Sequence, residues 1–442
     1  MSSIRPSGTA SRSLSSVTAK PEPSSSILGR IAGVLLAFFP PAALLGPWAG
    51  IGPVFVYRVL TVVLAGCALA GWIRPSGARR GSRGAAAMIL IAVVWGVVGL
   101  VGAAQLGTRR ELSSFVGAGL ALMGAWAVTR LIADGHLSRP RALRDLAFGW
   151  AVAMWIGTPV AGWEICTGRH LSTYTSGLWR NHPGLYRQPA TWLTNPNLYA
   201  VFVAVGLVFV GAVWAGEQCL WVRVVAGATV ILGVGLVAAT GSRLAQIALA
   251  LALMVRLWAV TKWRWVLPTL TVVAVAVILM THAQQAGLAW HRFVGVLVHH
   301  NDEGPSSFSA RTALMAWGLA LVAAHPLIGA GPGGFRAAII DQPRRWFTHG
   351  KSDPHNGVLE IASQYGLVVT VMLAVCWVWG IVSCWRHRQW WSTALLIVIP
   401  VLSLANSTYL VQSVTQLTWL LSAVVLVHGD RRSKNGCRAD SR

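Results

Sequence analysis

The chain alternates between long apolar runs and short polar interruptions. A helix needs about 20 apolar residues to cross a hydrocarbon core about 30 Å thick, and runs of that length recur along almost the whole sequence. They predict spans at 31–49, 51–72, 85–105, 113–132, 146–165, 198–216, 224–240, 244–260, 266–282, 366–385, 392–411 and 415–428. The pattern is that of an all-α integral membrane protein with about 12 transmembrane helices, and an even count puts both termini on one side. Hydrophobic residues fill 55% of the 442 positions and charged ones only 11%, at a mean hydropathy of +0.59, which excludes a soluble globular domain.

Charge fixes the expected orientation. The formal net charge is +23, but the basic residues fall in short connections rather than on one soluble face, so no nucleic acid is expected as a partner. Arg74, Arg79, Arg80 and Arg83, then Arg139, Arg141 and Arg144, then Lys262 and Arg264, Arg386 and Arg388, and Arg431, Arg432 and Lys434 all land on the side of the termini, the cytoplasmic side by the positive-inside rule. Residues 1–27, rich in Ser, Thr and Pro, read as a disordered basic cytoplasmic tail; 28–428 form the polytopic membrane domain, and 429–442 a second basic tail. Cys67, Cys166, Cys219, Cys376, Cys384 and Cys437 are scattered, without metal-ligand or redox spacing.

Two outward segments, about 166–197 and 283–365, are too long to be simple connectors, and long ordered loops are usually functional. The second contains an apolar stretch after Arg311 that is too short to span and ends at His325-Pro326, which predicts an interfacial or re-entrant helix. Arginine is normally sparse on the outer side, yet Arg169, Arg180, Arg187, Arg243, Arg292, Arg311, Arg336, Arg344 and Arg345 all fall there. Guanidinium suits phosphate, because its planar fork donates paired hydrogen bonds and keeps its charge; anchoring to lipid headgroups is the alternative role for individual arginines. Trp179, Trp192 and Trp346 in these loops suit either interface anchoring or stacking on sugar faces.

The best-placed polar groups stand in short turns at span ends. "ATGSRLAQIA" sets Arg243 at the junction of two spans, "SSFSARTALMAW" sets Arg311 just before the interfacial helix, and "LYRQPATWLTNPNLYA" brings Arg187 near Asn195-Pro196-Asn197, a helix-starting turn. In "SDPHNGVLEIASQYG", Asp353 reads as an N-cap with Pro354 at the first helical position, so His355 falls in the first turn. The positive end of the helix dipole disfavours imidazolium there, leaving a neutral ring able to accept a proton. Capping or headgroup contact is the plainer role for such a histidine. A divalent site at Asp302-Glu303 with His299 and His300 is an alternative; "GAGPGG" matches dinucleotide-fingerprint spacing but follows no strand, and reads instead as a flexible turn closing over a site.

In order along the chain, "NPN" at a span start, "GSRLA", "SAR" leading into "AAHPLIGAGPGGF", and "PHNGVLEIASQYGL" resemble the bacterial O-antigen ligase and O-antigen polymerase family between about 187 and 367. The resemblance implies a metal-independent glycosyltransferase without a cofactor, in the bacterial inner (plasma) membrane, with its active site on the outer face. It implies transfer of a glycan from a polyprenyl diphosphate carrier to an acceptor hydroxyl on a glycan or lipid-linked saccharide, with membrane lipids as surroundings. By the same resemblance, Arg243 and Arg311 neutralise the diphosphate and His355 is the general base, with Arg187, Asn197 and Asp353 binding substrate. The alternative is a secondary transporter of an anionic substrate or lipid-linked glycan. Twelve spans suit one, but the short connection "EQCLWVR" after the sixth span and the longest loop lying outside do not.

Overall fold

A computed structural model describes residues 26–52, 54–73, 83–106, 112–171, 187–214, 219–260, 307–342, 348, 352–404 and 412–427. The elements are α1 (Ile27–Leu45), a short 3-10 turn (Gly46–Trp48), a minimal hairpin of β1 (Gly50–Ile51) and β2 (Val54–Phe55), α2 (Val56–Ile73), α3 (Arg83–Leu106), α4 (Leu112–Ala133), α5 (Arg139–Thr167), α6 (Pro196–Trp214), α7 (Leu220–Ala239), α8 (Arg243–Val260), α9 (Ser307–Ala324), α10 (Gly334–Asp341), α11 (Gly357–Arg386), α12 (Trp390–Ser403) and α13 (Ser413–Leu426). Seven of these helices are long and apolar enough to cross a membrane. The protein is a helical, multi-pass membrane protein.

Local chemistry explains where the helices begin and end. Ser26 Oγ accepts the Gly29 N–H at 3.1 Å to cap α1. At α6, Asn195 Oδ1 accepts the Leu198 N–H at 2.8 Å, with Pro196 as the first helical residue. α5 starts with Pro140 in its first turn and closes on Gly168 in the left-handed conformation, whose N–H reaches the Glu164 carbonyl at 2.8 Å. Arg139, Arg141 and Arg144 therefore belong to the first turns of α5, not to a loop before it. The predicted second span also starts late: Gly50–Phe55 folds as the hairpin, because the Gly and Pro residues of "GPWAGIGP" favour turns over helix, and α2 begins at Val56.

Small residues bring the helices close. A Cβ at Gly149 of α5 would overlap the Ala37 carbonyl of α1, and one at Gly206 of α6 would overlap Trp150. Trp150 stacks on Phe202 with ring centroids 5.3 Å apart and donates Nε1–H to the Phe202 carbonyl at 2.9 Å. This core wraps α6, which is buried on almost every side.

Two sets of contacts define the ends of the bundle. At one end Ser26 Oγ lies 3.2 Å from His136 Nδ1, His136 Nε2 lies 3.2 Å from the Gly71 carbonyl, and Arg139 Nε donates to the Val424 carbonyl at 3.2 Å. At the opposite end Ser413 Oγ donates to the Ala43 carbonyl at 2.8 Å, and Gln416 Nε2 donates to the Gly117 carbonyl at 3.0 Å. α1 thus starts where α13 finishes. The Ala43–Ser413 end also receives the α5–α6 connection and the α7–α8 turn, and there a Cβ on Gly102 of α3 would lie 2.6 Å from Gly331 Cα.

The predicted span at 266–282 lies outside the described residues, as do both predicted tails apart from Ser26 and Ile27, Arg180, Arg292, Arg344, Arg345, Trp179, Trp346 and the histidine and acidic residues 299–303.

Candidate functional site

All six candidate residues stand at the Ala43–Ser413 end, in two groups. The first is built on the segment before α6. Arg187 is exposed, and Gln188 beside it packs on the α7–α8 turn: a Cβ at Gly241 would lie 2.7 Å from Gln188 Nε2. Gly241 takes φ +66°, so the turn reverses tightly enough to make exposed Arg243 the first residue of α8. Asn197, half-buried, is the second residue of α6. The Gln188 side chain therefore brings the segment that carries Arg187 against the turn before Arg243.

The segment is held from beneath by a carboxylate. Glu164, fully buried near the end of α5, accepts the N–H groups of Ala190 and Thr191 on one oxygen, each at 2.8 Å. Its other oxygen faces His170 Nδ1 at 3.2 Å. Thr191 takes φ +56°, a conformation costly for a β-branched residue.

The second group surrounds the start of α11. This helix breaks at Gly366 (φ +76°, ψ 177°) into a short piece, 357–365, and the long span after it. The span start at 366 is thus where the hydropathy placed it. The loop after α9 seats on the break: Leu367 N–H donates to the Pro326 carbonyl at 2.7 Å, and Ala330 N–H to the Ser363 carbonyl at 2.8 Å. Gly329, Gly331 and Gly333 all have positive φ. The "GAGPGG" turn, expected to be a flexible cover, is instead bonded into the break, because each of these backbone groups needs a partner.

Asn356, not Asp353, caps α11: its Oδ1 accepts from Val358 N and Leu359 N, each at 3.1 Å. His355 is accordingly outside the helix, one residue before the cap, with φ +52°. The expected first-turn placement is corrected, and the reason is chemical. Asn is as good a cap as Asp, and here its extended backbone aims the amide oxygen at two helix N–H groups. His355 remains next to the N-terminal end of the helix. Pro354 is buried and Asp353 half-buried. Burial pushes the Asp353 carboxyl above the ordinary carboxylate range, and the positive charge of Arg336, an exposed residue on α10, pulls it partway back.

Arg311 is exposed in the second turn of α9, which starts at Ser307 rather than after the arginine, since the serine run joins the helix. α9 packs on the short piece of α11, with Leu359 filling the space over Gly318. Among the described residues no carboxylate lies within ion-pair distance of Arg187, Arg243 or Arg311.

Four residues the sequence reading did not single out shape these groups: Glu164, Arg336, Asn356 as the cap, and Gly366 as the break. Glu164 had a signal, an acid at the end of an apolar run; a cap shared between neighbouring Asp and Asn residues did not. Trp192, a candidate for stacking on sugar, is half-buried and packs in part against the bundle core.

A search of curated proteins found no match. The model of the O-antigen ligase family matches residues 228–374, from within α7 to within α11, a span that takes in Arg243, Arg311, Asp353 and His355 and bears out the resemblance to that family.

Proposed function

We propose that this protein is a glycosyltransferase that moves a glycan from a polyprenyl diphosphate carrier to an acceptor hydroxyl at the Ala43–Ser413 end of its bundle. The family match over 228–374 supports ligase- or polymerase-type chemistry on a lipid-linked glycan. What supports the proposal is that Arg187, Arg243 and Arg311 are exposed, have no carboxylate partner among the described residues, and stand at the same end of the bundle as His355, which precedes a helix N-terminus.

In this proposal the acceptor oxygen attacks the anomeric carbon as the bond from that carbon to the diphosphate oxygen breaks. The acceptor proton goes to His355, a step typically worth about 10²- to 10⁴-fold. Negative charge grows on the departing diphosphate, where Arg243 and Arg311 stabilise it as preorganised cations. Attack opposite the leaving group inverts the anomeric centre. Arg187 and Asn197 hold the carrier from the α6 side, and Asp353 with Arg336 holds the chain that carries His355. No step calls on a metal ion, and the outward face of the bacterial inner membrane is the proposed location.

The test is transfer by the purified protein from a polyprenyl-diphosphate glycan to a lipid-linked core saccharide or to a second repeat unit, with EDTA present. Transfer to either acceptor supports the proposal and separates ligase from polymerase. Carrier movement across a sealed bilayer without any transfer would instead favour a transporter.

A further inference from the structure

Glu164 has no part in the transfer chemistry, yet it is a fully buried carboxylate at the end of the bundle where that chemistry is proposed. Such a group is retained at a cost unless its lone pairs are satisfied. Its Oε2 takes two backbone N–H groups from the same short segment, Ala190 and Thr191, at 2.8 Å each. Charge-assisted bonds of this kind are about twice as strong as neutral ones. Oε1 lies 3.2 Å from His170 Nδ1, an approach without hydrogen-bond geometry, so the hold on the carboxylate is made by Oε2.

The held segment has a conformation that needs holding. Thr191 sits at φ +56°, where a β-branched side chain is strained. Its hydroxyl donates to the Ala190 carbonyl at 2.7 Å. Three residues upstream, Gln188 meets the α7–α8 turn at Gly241, and Arg187 precedes it. Two residues beyond Leu193, Asn195 caps α6.

We infer that Glu164 is a positioning residue for carrier binding: its carboxylate locks the Ala190–Thr191 turn and so holds Arg187 against the turn that carries Arg243, forming one half of the diphosphate site. This rests on the proposed role of Arg187. Glu164 touches neither carrier nor sugar and acts through the segment it grips.

The experiment uses the full-length protein in lipid nanodiscs, with undecaprenyl diphosphate as probe and undecaprenol, which lacks the diphosphate, as control. Hydrogen exchange across 187–195 and carrier affinity are measured for wild type, Glu164→Ala, Glu164→Gln, Arg187→Ala and the Glu164→Ala/Arg187→Ala double variant. Glu164→Ala should speed exchange in 187–195 and weaken undecaprenyl diphosphate binding about ten-fold, the effect expected when a charge-assisted hydrogen bond is lost, with undecaprenol binding unchanged. Glu164→Gln, whose amide oxygen still takes both N–H groups, should recover most of the affinity. The double variant should bind no more weakly than Arg187→Ala alone. Additive losses, or unchanged exchange in 187–195 with Glu164→Ala, would overturn the inference while leaving the role of Arg187 intact. If Arg187→Ala binds the carrier normally, the proposed role of Arg187 fails and the inference with it, even where faster exchange in 187–195 with Glu164→Ala shows that Glu164 grips the segment. Should Glu164→Ala not fold, His170→Ala, which leaves both backbone bonds in place, must retain affinity within a few-fold; a loss as large as that of Arg187→Ala would contradict a clamp made by Oε2.

Discussion

Replacing Gly366 with alanine should disrupt the second half of the site from a position that carries no chemistry. At φ +76° and ψ 177° the residue occupies a region open almost only to glycine, which costs about 1–3 kcal/mol for any other residue. A Cβ there would also overlap the Leu327 carbonyl and lie 2.6 Å from Ile328 N. Both obstacles are backbone, so they cannot rotate away, and forced overpacking adds about 1–3 kcal/mol. The relief available is to push out the Pro326–Gly334 loop and lose the Leu367–Pro326 and Ala330–Ser363 bonds, at 2.7 and 2.8 Å. The sum is about 2–6 kcal/mol, enough to lower the melting temperature of the purified protein by several degrees. Thermal unfolding followed by tryptophan fluorescence, with hydrogen exchange over 326–334, measures it. Gly119→Ala in α4, where a Cβ meets nothing within 4 Å, is the control and should be neutral or slightly stabilising. A Gly366→Ala protein as stable as wild type, with the loop equally protected, would refute the account of the break.

Asn356→Ala removes an acceptor from two helix N–H groups and should cost about 1 kcal/mol of stability, while Asn356→Asp should restore it; chemical denaturation in detergent decides. His355→Gly should abolish transfer yet leave the fold as stable or more so, because glycine accepts φ +52° without strain; a clear loss of melting temperature would contradict this. Asp353 holds its proton more tightly folded than unfolded, so the native state binds more protons above the ordinary Asp value and stability falls as pH rises from there through the raised folded value. Asp353→Asn should flatten that part of the stability–pH curve, read as melting temperature between about pH 4 and pH 7.

The sequence revealed most where hydrophobic length alone decides. Span positions such as 113–132, 224–240 and 244–260 lie within or over α4, α7 and α8, and the onset at 366 coincides with the break in α11. It was less informative where two neighbouring residues compete for one role. Asp353 and Asn356 both suit an N-cap, and only backbone direction chooses between them, which moved His355 from inside the helix to a left-handed residue before it. Arg243 was legible because a Gly-Ser turn between two apolar runs leaves a charge nowhere else to go. Glu164 and Arg336 act through contacts made 26 residues away or through a separate helix, and no local pattern encodes those. Gly329 and Gly331 suggested looseness by composition, whereas tertiary bonds to Ser363 and the break fix them.

The central claim is that His355 removes the acceptor proton at a site where arginines hold the diphosphate. Single-turnover transfer from a polyprenyl-diphosphate glycan, measured for wild type and His355→Ala in EDTA alongside carrier affinity, tests it most directly. The account predicts a rate lower by about 10²- to 10⁴-fold in the variant, with carrier affinity within a few-fold of wild type. A His355→Ala rate close to that of wild type would contradict it.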